Sequence, residues 1–529
     1  MKRYEVIVIG AGPAGLCAAT EAAEHGCKVI VFDENAKPGG QLFKQIHKFF
    51  GSREHMAKTR GFQIGKKLLE DAVKTGVDVR LNSVVTGLYL DKEVVVKNKD
   101  HIEHYKGDKI IIATGASENS VAFEGWTLPG VMGAGAAQTM MNLHGIKPGK
   151  KVLMIGTGNV GLVVSYQLLQ AGCEVVALAD ALPYIGGYGV HAAKLARCGV
   201  PFYMSHTIIK AQGSDCVTGA VIGQLGADKK IISGTEKHFD VDTICLAVGL
   251  SPMSQLAKMA GCRMEYNSAK GGLVPVYDEF GETSVPGIFA AGDVSGIEEA
   301  SSAMIEGRIA GITCAYQCGY LSREKAENEL KIQAKALNAL RKGMFAPGNK
   351  GKFTDKTQEN IQISSNLREK GFLKSQELER FPGVKHIKGT HPVIECTQNI
   401  PCNPCQDACR KGCITVGNEI TGLPEVCPEA ECTGCGMCVA SCSGQAIFLI
   451  NEDYEEKYAA ITMPYEFYPC PAPGEKGVAC DRSGNSVCEA EVIALKTSPV
   501  FDKTNLLTIK VPVEWVNEAR FYKPSEDAI

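Results

Sequence analysis

Two residue types in this sequence are spaced for chemistry: cysteines that can share a metal, and glycines that can hold a phosphate. Thirteen of the 22 cysteines lie between Cys396 and Cys488. Within that stretch runs Cys432-x2-Cys435-x2-Cys438-x3-Cys442, whose thiolates can wrap the corners of a [4Fe–4S] cluster. A looser version, Cys402-x2-Cys405-x3-Cys409-x3-Cys413, precedes it. Paired CxxC units also suit zinc. Eight thiolates built around a CxxCxxCxxxC run favour iron and sulfide, in one or two clusters. Disulfides would need an oxidising compartment, and a large chain that opens on a nucleotide motif fits the reducing one. Cys396, Cys427, Cys470, Cys480 and Cys488 have no recognisable ligand spacing and read as structural, with a further ligand left open.

The first glycine motif is Gly10-Ala11-Gly12-Pro13-Ala14-Gly15. It follows an apolar strand and opens a helix, so its backbone can approach a pyrophosphate at the helix N-terminus. Asp33 ends the next strand, where a carboxylate can bond ribose hydroxyls, with Glu34 in reserve. The second motif, Gly156-Thr157-Gly158-Asn159-Val160-Gly161, repeats the logic, with Asp180 as the ribose candidate. No arginine cluster follows that strand to hold a 2′-phosphate, so NAD fits better than NADP; another nucleotide, or a purely structural fold, stays open.

These residues need two βαβ units to position them. Strands at 4–9 and 28–32 flank a helix at 13–25, and strands at 151–155 and 174–178 flank one at 160–171. A charged helix is expected over 322–342 and a polar linker over 343–360. The segments EVIALK and LLTIKVPV after residue 485 read as strands of a small β domain. The chain of 529 residues thus divides into 1–122 with 270–325 (FAD-type), 123–269 (NAD-type), 326–395 (helical linker), 396–452 (iron–sulfur) and 453–529 (β-rich). The fold class is α/β, with two Rossmann-like domains. A net charge of −3 gives no footprint for nucleic acid. There is no secretory signal and no apolar run long enough to span a bilayer. A cytoplasmic protein is expected, with peripheral attachment at the membrane's inner face left open.

Four motifs in order carry a family resemblance: Gly10–Gly15, then Gly39-Gly40-Gln41-Leu42, then Ala113-Thr114-Gly115, then Gly287 to Val294 around Gly292-Asp293. Together they resemble the two-dinucleotide-domain flavoproteins that include thioredoxin reductase. The resemblance implies FAD on the first motif, Asp293 beside the ribityl–pyrophosphate, Gly40–Leu42 near the flavin, and NAD(H) or another nucleotide in an inserted second domain. Disulfide reductases of that family carry a redox CxxC, and none occurs here before residue 400. The isolated Cys173, Cys198, Cys216, Cys245 and Cys262 read as core residues.

The two cysteine sets resemble the halves of a two-cluster ferredoxin. That resemblance implies Cys402, Cys405, Cys409 and Cys442 on one cluster and Cys413, Cys432, Cys435 and Cys438 on the other. The extra residue before Cys409 departs from it, as do Ile414 and Ser443 where proline is usual.

A narrower resemblance lies in Tyr184–Tyr188, Gly199–Pro201, Ser205–Thr207, Gly292–Ala300 and Glu306–Gly311. These segments look like the α subunits of dye-linked proline dehydrogenases, opine oxidases and sarcosine-oxidase-like complexes. The resemblance implies an electron-transfer subunit of an amino- or imino-acid dehydrogenase. It also implies an amino-acid-oxidase-like flavoprotein β subunit, a small iron–sulfur subunit, and an acceptor such as ferredoxin or quinone. The alternative is a self-contained NADH-dependent flavin and iron–sulfur reductase; a non-catalytic scaffold is the third reading. His191 and His206 read as polar packing, and no catalytic residue is assigned.

Overall fold

The computed structural model describes residues 1–99, 101–347 and 366–525. Lys2–Ile9 and Val29–Phe32 pair in parallel across the helix Pro13–Glu24, in register Val6 with Val29 to Ile9 with Phe32. Their β-branched runs are buried on both faces, as a parallel sheet requires. The sheet runs Asp78–Arg80, Val29–Phe32, Lys2–Ile9, His101–Ile112, Glu93–Asn98, Ser83–Leu88. The short strand Ile288–Ala290 joins His101–Ile112 in parallel, Ile288 against Ile110. The chain therefore leaves this sheet after residue 112 and returns at residue 288, with a second unit inserted between. Ala116–Glu118 and Leu250–Pro252 pair antiparallel where the chain goes out and comes back. Thr114 Oγ1 donates to Met253 O at 2.7 Å at the same crossing.

The inserted unit has a five-stranded parallel sheet: Phe202–Met204, Glu174–Asp180, Lys151–Ile155, Thr243–Leu246, Val131–Gly133. Asn159–Gln170 packs on it as the crossover helix, and a three-stranded antiparallel sheet (His206–Gln212, Gly219–Gln224, Lys237–Phe239) attaches beside it. Helix Ala300–Gln317 lies against Pro13–Glu24 so closely that a Cβ on Gly307 would stand 2.1 Å from Ala14 O. The charged helix expected near 322–342 is Arg323–Leu340, started by the Ser322 side chain accepting from Lys325 N–H. Most of the expected linker, residues 348–360, lies outside the described residues.

The third layer is a seven-stranded sheet in the order His391–Ile394, Ile447–Glu455, Tyr458–Tyr465, Asn505–Pro512, Ser486–Lys496, Lys476–Cys480, Phe521–Pro524. It holds the strands expected at EVIALK and LLTIKVPV. It also takes in strands on either side of the cysteine stretch, since Ile394 pairs with Ile447. The segment between them leaves the sheet and returns to it. Only short elements form there, the helices Pro404–Ala408 and Met437–Ser441 and the pair Ile414–Thr415 with Glu425–Val426. Ile414, Val416, Val426 and Val439 of this segment are buried together with Cys405, Cys413 and Cys438.

Candidate cofactor sites

The first glycine loop is held open for a ligand. Gly10 has φ +110°, and a Cβ there would lie 2.3 Å from Ala113 O, so this turn admits only glycine. On Gly15 a Cβ would lie 1.8 Å from Gly10 O, which keeps the helix tight on the strand. Gly12 differs: a Cβ built on it meets nothing nearer than Gly40 Cα at 4.0 Å. Gly12 caps the helix Pro13–Glu24, with no side chain bonded to its first N–H groups and no acid in its first turn. Free amides, a positive helix end and a Cβ-sized gap suit a pyrophosphate.

Asp33 is buried at the strand end. Its Oδ2 accepts from Ala11 N–H at 2.6 Å, and its Oδ1 from the backbone and side-chain amides of Asn35 at 2.7 and 2.9 Å. The carboxylate is fixed against the loop, whereas Glu34 faces solvent. Gly39 N–H donates to Ala11 O at 2.7 Å and brings Gly40 over Gly12; Leu42 is buried and Gln41 exposed. Gly115 has φ +75° with open space around it, beside Ala113 and Thr114.

Gly292 closes the same region from another direction. A Cβ on it would lie 2.9 Å from Ala14 Cβ, and its N–H donates to Glu306 at 2.7 Å. The neighbouring Asp293 carboxyl is pushed up to about 7 by burial, with Glu306, Glu299 and Glu298 adding repulsion. Arg341 pairs with both Glu298 and Glu306 and holds that acidic group together.

The second loop copies the first in detail. Gly156 has φ +112° and packs on Ala247 O; Gly161 packs on Gly156 O; Gly158 has nothing within 4 Å of a built Cβ. Asp180 Oδ2 accepts from Thr157 N–H and Oγ1, each at 2.7 Å, as Asp33 does from Ala11. The copy extends to a diglycine six and seven residues after each aspartate, Gly39-Gly40 and Gly186-Gly187. Gly187 N–H donates to Thr157 O at 2.9 Å, as Gly39 donates to Ala11 O. One feature has no counterpart in the first loop. Glu299 Oε1 accepts from Asn159 Nδ2 at 2.9 Å, which sets a carboxylate at the start of the helix Asn159–Gln170. Val160 is exposed beside it.

The loop that follows Gly40–Leu42 runs straight into the cysteine segment. Phe49 O accepts from Ser443 Oγ at 2.6 Å, and Gly51 O from Asn403 N–H at 3.0 Å. Ser443 and Asn403 each adjoin a cysteine, Cys442 and Cys402. Lys48 is buried, and its Nζ donates to Ala440 O at 2.7 Å, Phe501 O at 2.6 Å and Thr504 Oγ1 at 2.8 Å. Burial pushes its ammonium down to about 8. Arg60 adds contacts to Ile46 O and to Asp502. Nothing in the spacing of Lys48 or Arg60 marked them, because the partners that tie them to the cysteine side lie some 400 residues away.

The cysteines fall into two groups. Cys396, Cys402 and Cys442 pack around Tyr188, Val190, Ile400 and Ala446. Burial and then the Cys442 thiol raise the thiols of Cys396, Cys402 and Cys405. Cys438 is raised by burial and then by Cys432, Cys409 and Cys435. Cys409 Sγ accepts from Cys413 N–H at 3.3 Å, Cys432 Sγ from Gly434 N–H at 3.5 Å, and Cys442 Sγ from Ala446 N–H at 3.4 Å. Among the described residues, no three of these sulfurs lie within 4.8 Å of one another. Tetrathiolate zinc, with Zn–S of about 2.3 Å, would need sulfurs about 3.8 Å apart.

A parallel sheet that opens on a phosphate loop, resumes after an inserted copy of itself and is closed by Gly292-Asp293 defines a flavin- and nucleotide-binding oxidoreductase. The chain belongs to the pyridine nucleotide-disulphide oxidoreductase family, whose model matches residues 4–307. It is 29% identical to a subunit of the opine oxidase of Agrobacterium tumefaciens (strain Ach5), over 65% of this chain and 71% of that one. It is 25% identical to the alpha subunit of sarcosine oxidase from Corynebacterium sp. (strain P-1), over 62% of this chain but only 34% of that one. The thioredoxin reductase of T. acidophilum shares the fold, with TM-score 0.50 and 21% identity over 60% of this chain and 99% of that one. The two oxidase relatives are thus subunits of larger enzymes. Among the described residues no helix is long and apolar enough to cross a membrane.

Proposed function

We propose that this chain is the electron-transfer subunit of an amino- or imino-acid dehydrogenase complex. It would carry FAD on the first glycine loop and iron–sulfur clusters in the cysteine segment. The observation that carries the reading is the pair of bonds from Phe49 O to Ser443 and from Gly51 O to Asn403. They tie the loop downstream of Gly40–Leu42 to the residues adjoining Cys442 and Cys402. Bound flavin would exchange hydride or single electrons, and clusters would carry single electrons onward.

The chain's own residues do the positioning. Gly12 and the helix end behind it would take the pyrophosphate, Asp33 would hold the loop and the ribose, and Gly292-Asp293 would close the ribityl side. Cys402, Cys405, Cys409, Cys413, Cys432, Cys435, Cys438 and Cys442 are the ligand candidates carried from the sequence. Substrate oxidation would belong to a flavoprotein partner; the opine oxidase and sarcosine oxidase relatives are themselves named as subunits. A ferredoxin or quinone would accept the electrons, with the complex in the cytoplasm or at the inner face of the membrane.

The second reading is a self-contained NADH-dependent reductase, favoured by the repeated loop at Gly156–Gly161 and by Asp180. The Glu299 carboxyl at Asn159 speaks against it, because it occupies the helix start where a dinucleotide pyrophosphate would bind.

An anaerobic dithionite titration of the full chain tests the cofactor content. FAD and two clusters take up about four electrons per chain, two by flavin and one by each cluster. Uptake of only two electrons, with no cluster signal in electron paramagnetic resonance, would sink the proposal.

A further inference from the structure

The backbone around the cysteines groups them differently from the sets that the ferredoxin resemblance implies. Ile394 pairs with Ile447, and Glu395 N–H continues the ladder to Ala446 O at 2.8 Å. Cys396 is the next residue. The ladder therefore delivers it to the turn that starts at Cys442, whose Sγ accepts from the N–H of the same Ala446. Cys402 packs with both on Ile400 and Ala446. Cys405 follows within the helix Pro404–Ala408, three residues on.

Past Cys405 the chain turns to the other group. The Cys409 sulfur takes the Cys413 amide and neighbours Cys432 and Cys438. Cys413 is buried in this second group, its thiol beside those of Cys409 and Cys432. Ile414 pairs with Val426, which leaves Cys413 and Cys427 side by side, Cys427 N–H donating to Cys413 O at 3.0 Å.

We propose that Cys396, Cys402, Cys405 and Cys442 hold the cluster nearer the flavin domain, and that Cys409 belongs with Cys413, Cys432, Cys435 and Cys438 around the outer one. The proposal rests on the iron–sulfur reading above and adds Cys396, which no spacing rule selects. It moves Cys409, which the ferredoxin resemblance gives to the cluster of Cys402 and Cys405, to the other cluster. The inner cluster lies where Asn403 and Ser443 bond the flavin-side loop. The outer group includes Cys435, its exposed member, at the surface where a partner can take electrons.

The test compares single serine variants of the full chain, purified without oxygen, for iron, acid-labile sulfide and reduced-state spin count. Wild type should hold about eight iron and eight sulfide, two [4Fe–4S] clusters. Cys396→Ser should fall to about four of each, or keep an inner cluster with an altered resonance spectrum. Cys402→Ser and Cys409→Ser should lose different clusters, each keeping the resonance that the other loses. Flavin content is measured alongside to report folding. Should Cys396→Ser fail to fold, this pair still decides, since loss of the same resonance in both overturns the assignment. So does a Cys396→Ser chain with full iron and an unchanged spectrum. Wild type without iron would instead overturn the reading beneath it.

Discussion

Replacing Lys48 with methionine should loosen the flavin domain from the cysteine segment without touching either cofactor loop. Methionine keeps most of the stem's bulk but leaves Ala440 O, Phe501 O and Thr504 Oγ1 without their shared donor. A hydrogen bond to a charged group contributes about 1.5–3 kcal/mol, so losing three costs roughly 4.5–9 kcal/mol. Burying the ammonium is itself unfavourable: its depression from 10.5 to about 8 corresponds to about 3 kcal/mol that the substitution recovers. The net is a destabilisation of about 3 kcal/mol, which lowers the melting temperature of a unit of this size by roughly 6–12 °C. The assay is thermal unfolding followed by flavin fluorescence and by the visible absorbance of the clusters. We expect cluster loss to move to lower temperature and to separate from flavin release, which together would mark one cooperative unit in the wild type. Clusters and flavin released at the wild-type temperature, still together, would refute the idea that Lys48 joins the two parts.

Three other outcomes follow from the same geometry. Gly12→Ala should fold normally, since φ at Gly12 is −74° and the built Cβ clashes with nothing, yet lose flavin because the methyl takes the pyrophosphate's place; flavin content against melting temperature checks it. Gly158→Ala should likewise fold, and should abolish any nucleotide binding by the second unit measured by calorimetry. Asp293, raised from 3.8 to about 7 in the fold, contributes stability that is fully present below about pH 4 and is lost as pH rises through 7. Flavin-stripped wild type should therefore lose roughly 2 kcal/mol between pH 5.5 and 8, and Asp293→Asn should remove that slope while weakening flavin retention.

How far the sequence reached depended on whether a feature is local. The glycine loops and their aspartates are set by short-range sterics and one strand–helix–strand unit, so Gly10–Gly15 with Asp33 and Gly156–Gly161 with Asp180 were legible as motifs. The return of Ile288–Ala290 to the first sheet followed from the family resemblance rather than from any residue near it. The contents of the cysteine segment were legible, but not its frame. The strands His391–Ile394 and Ile447–Glu455 belong to a sheet completed more than a hundred residues after the first of them, and their pairing decides which sulfurs meet. Cys396 gained meaning only from that ladder. Lys48, in an unremarkable aromatic run, gained it only from the carbonyls around its Nζ. The repeated diglycine after Asp33 and Asp180 stands in the sequence at equal spacing, but its role is visible only when Gly39 and Gly187 are seen bonded to Ala11 and Thr157.

In the function proposed above, electrons reach this chain from a partner enzyme and not from a nicotinamide bound in its second unit. The deciding experiment is an anaerobic titration of the purified full chain with NADH, followed in the visible spectrum. The spectrum should stay oxidised with NADH and bleach with dithionite. Bleaching at stoichiometric NADH would contradict it and would make the chain a reductase in its own right.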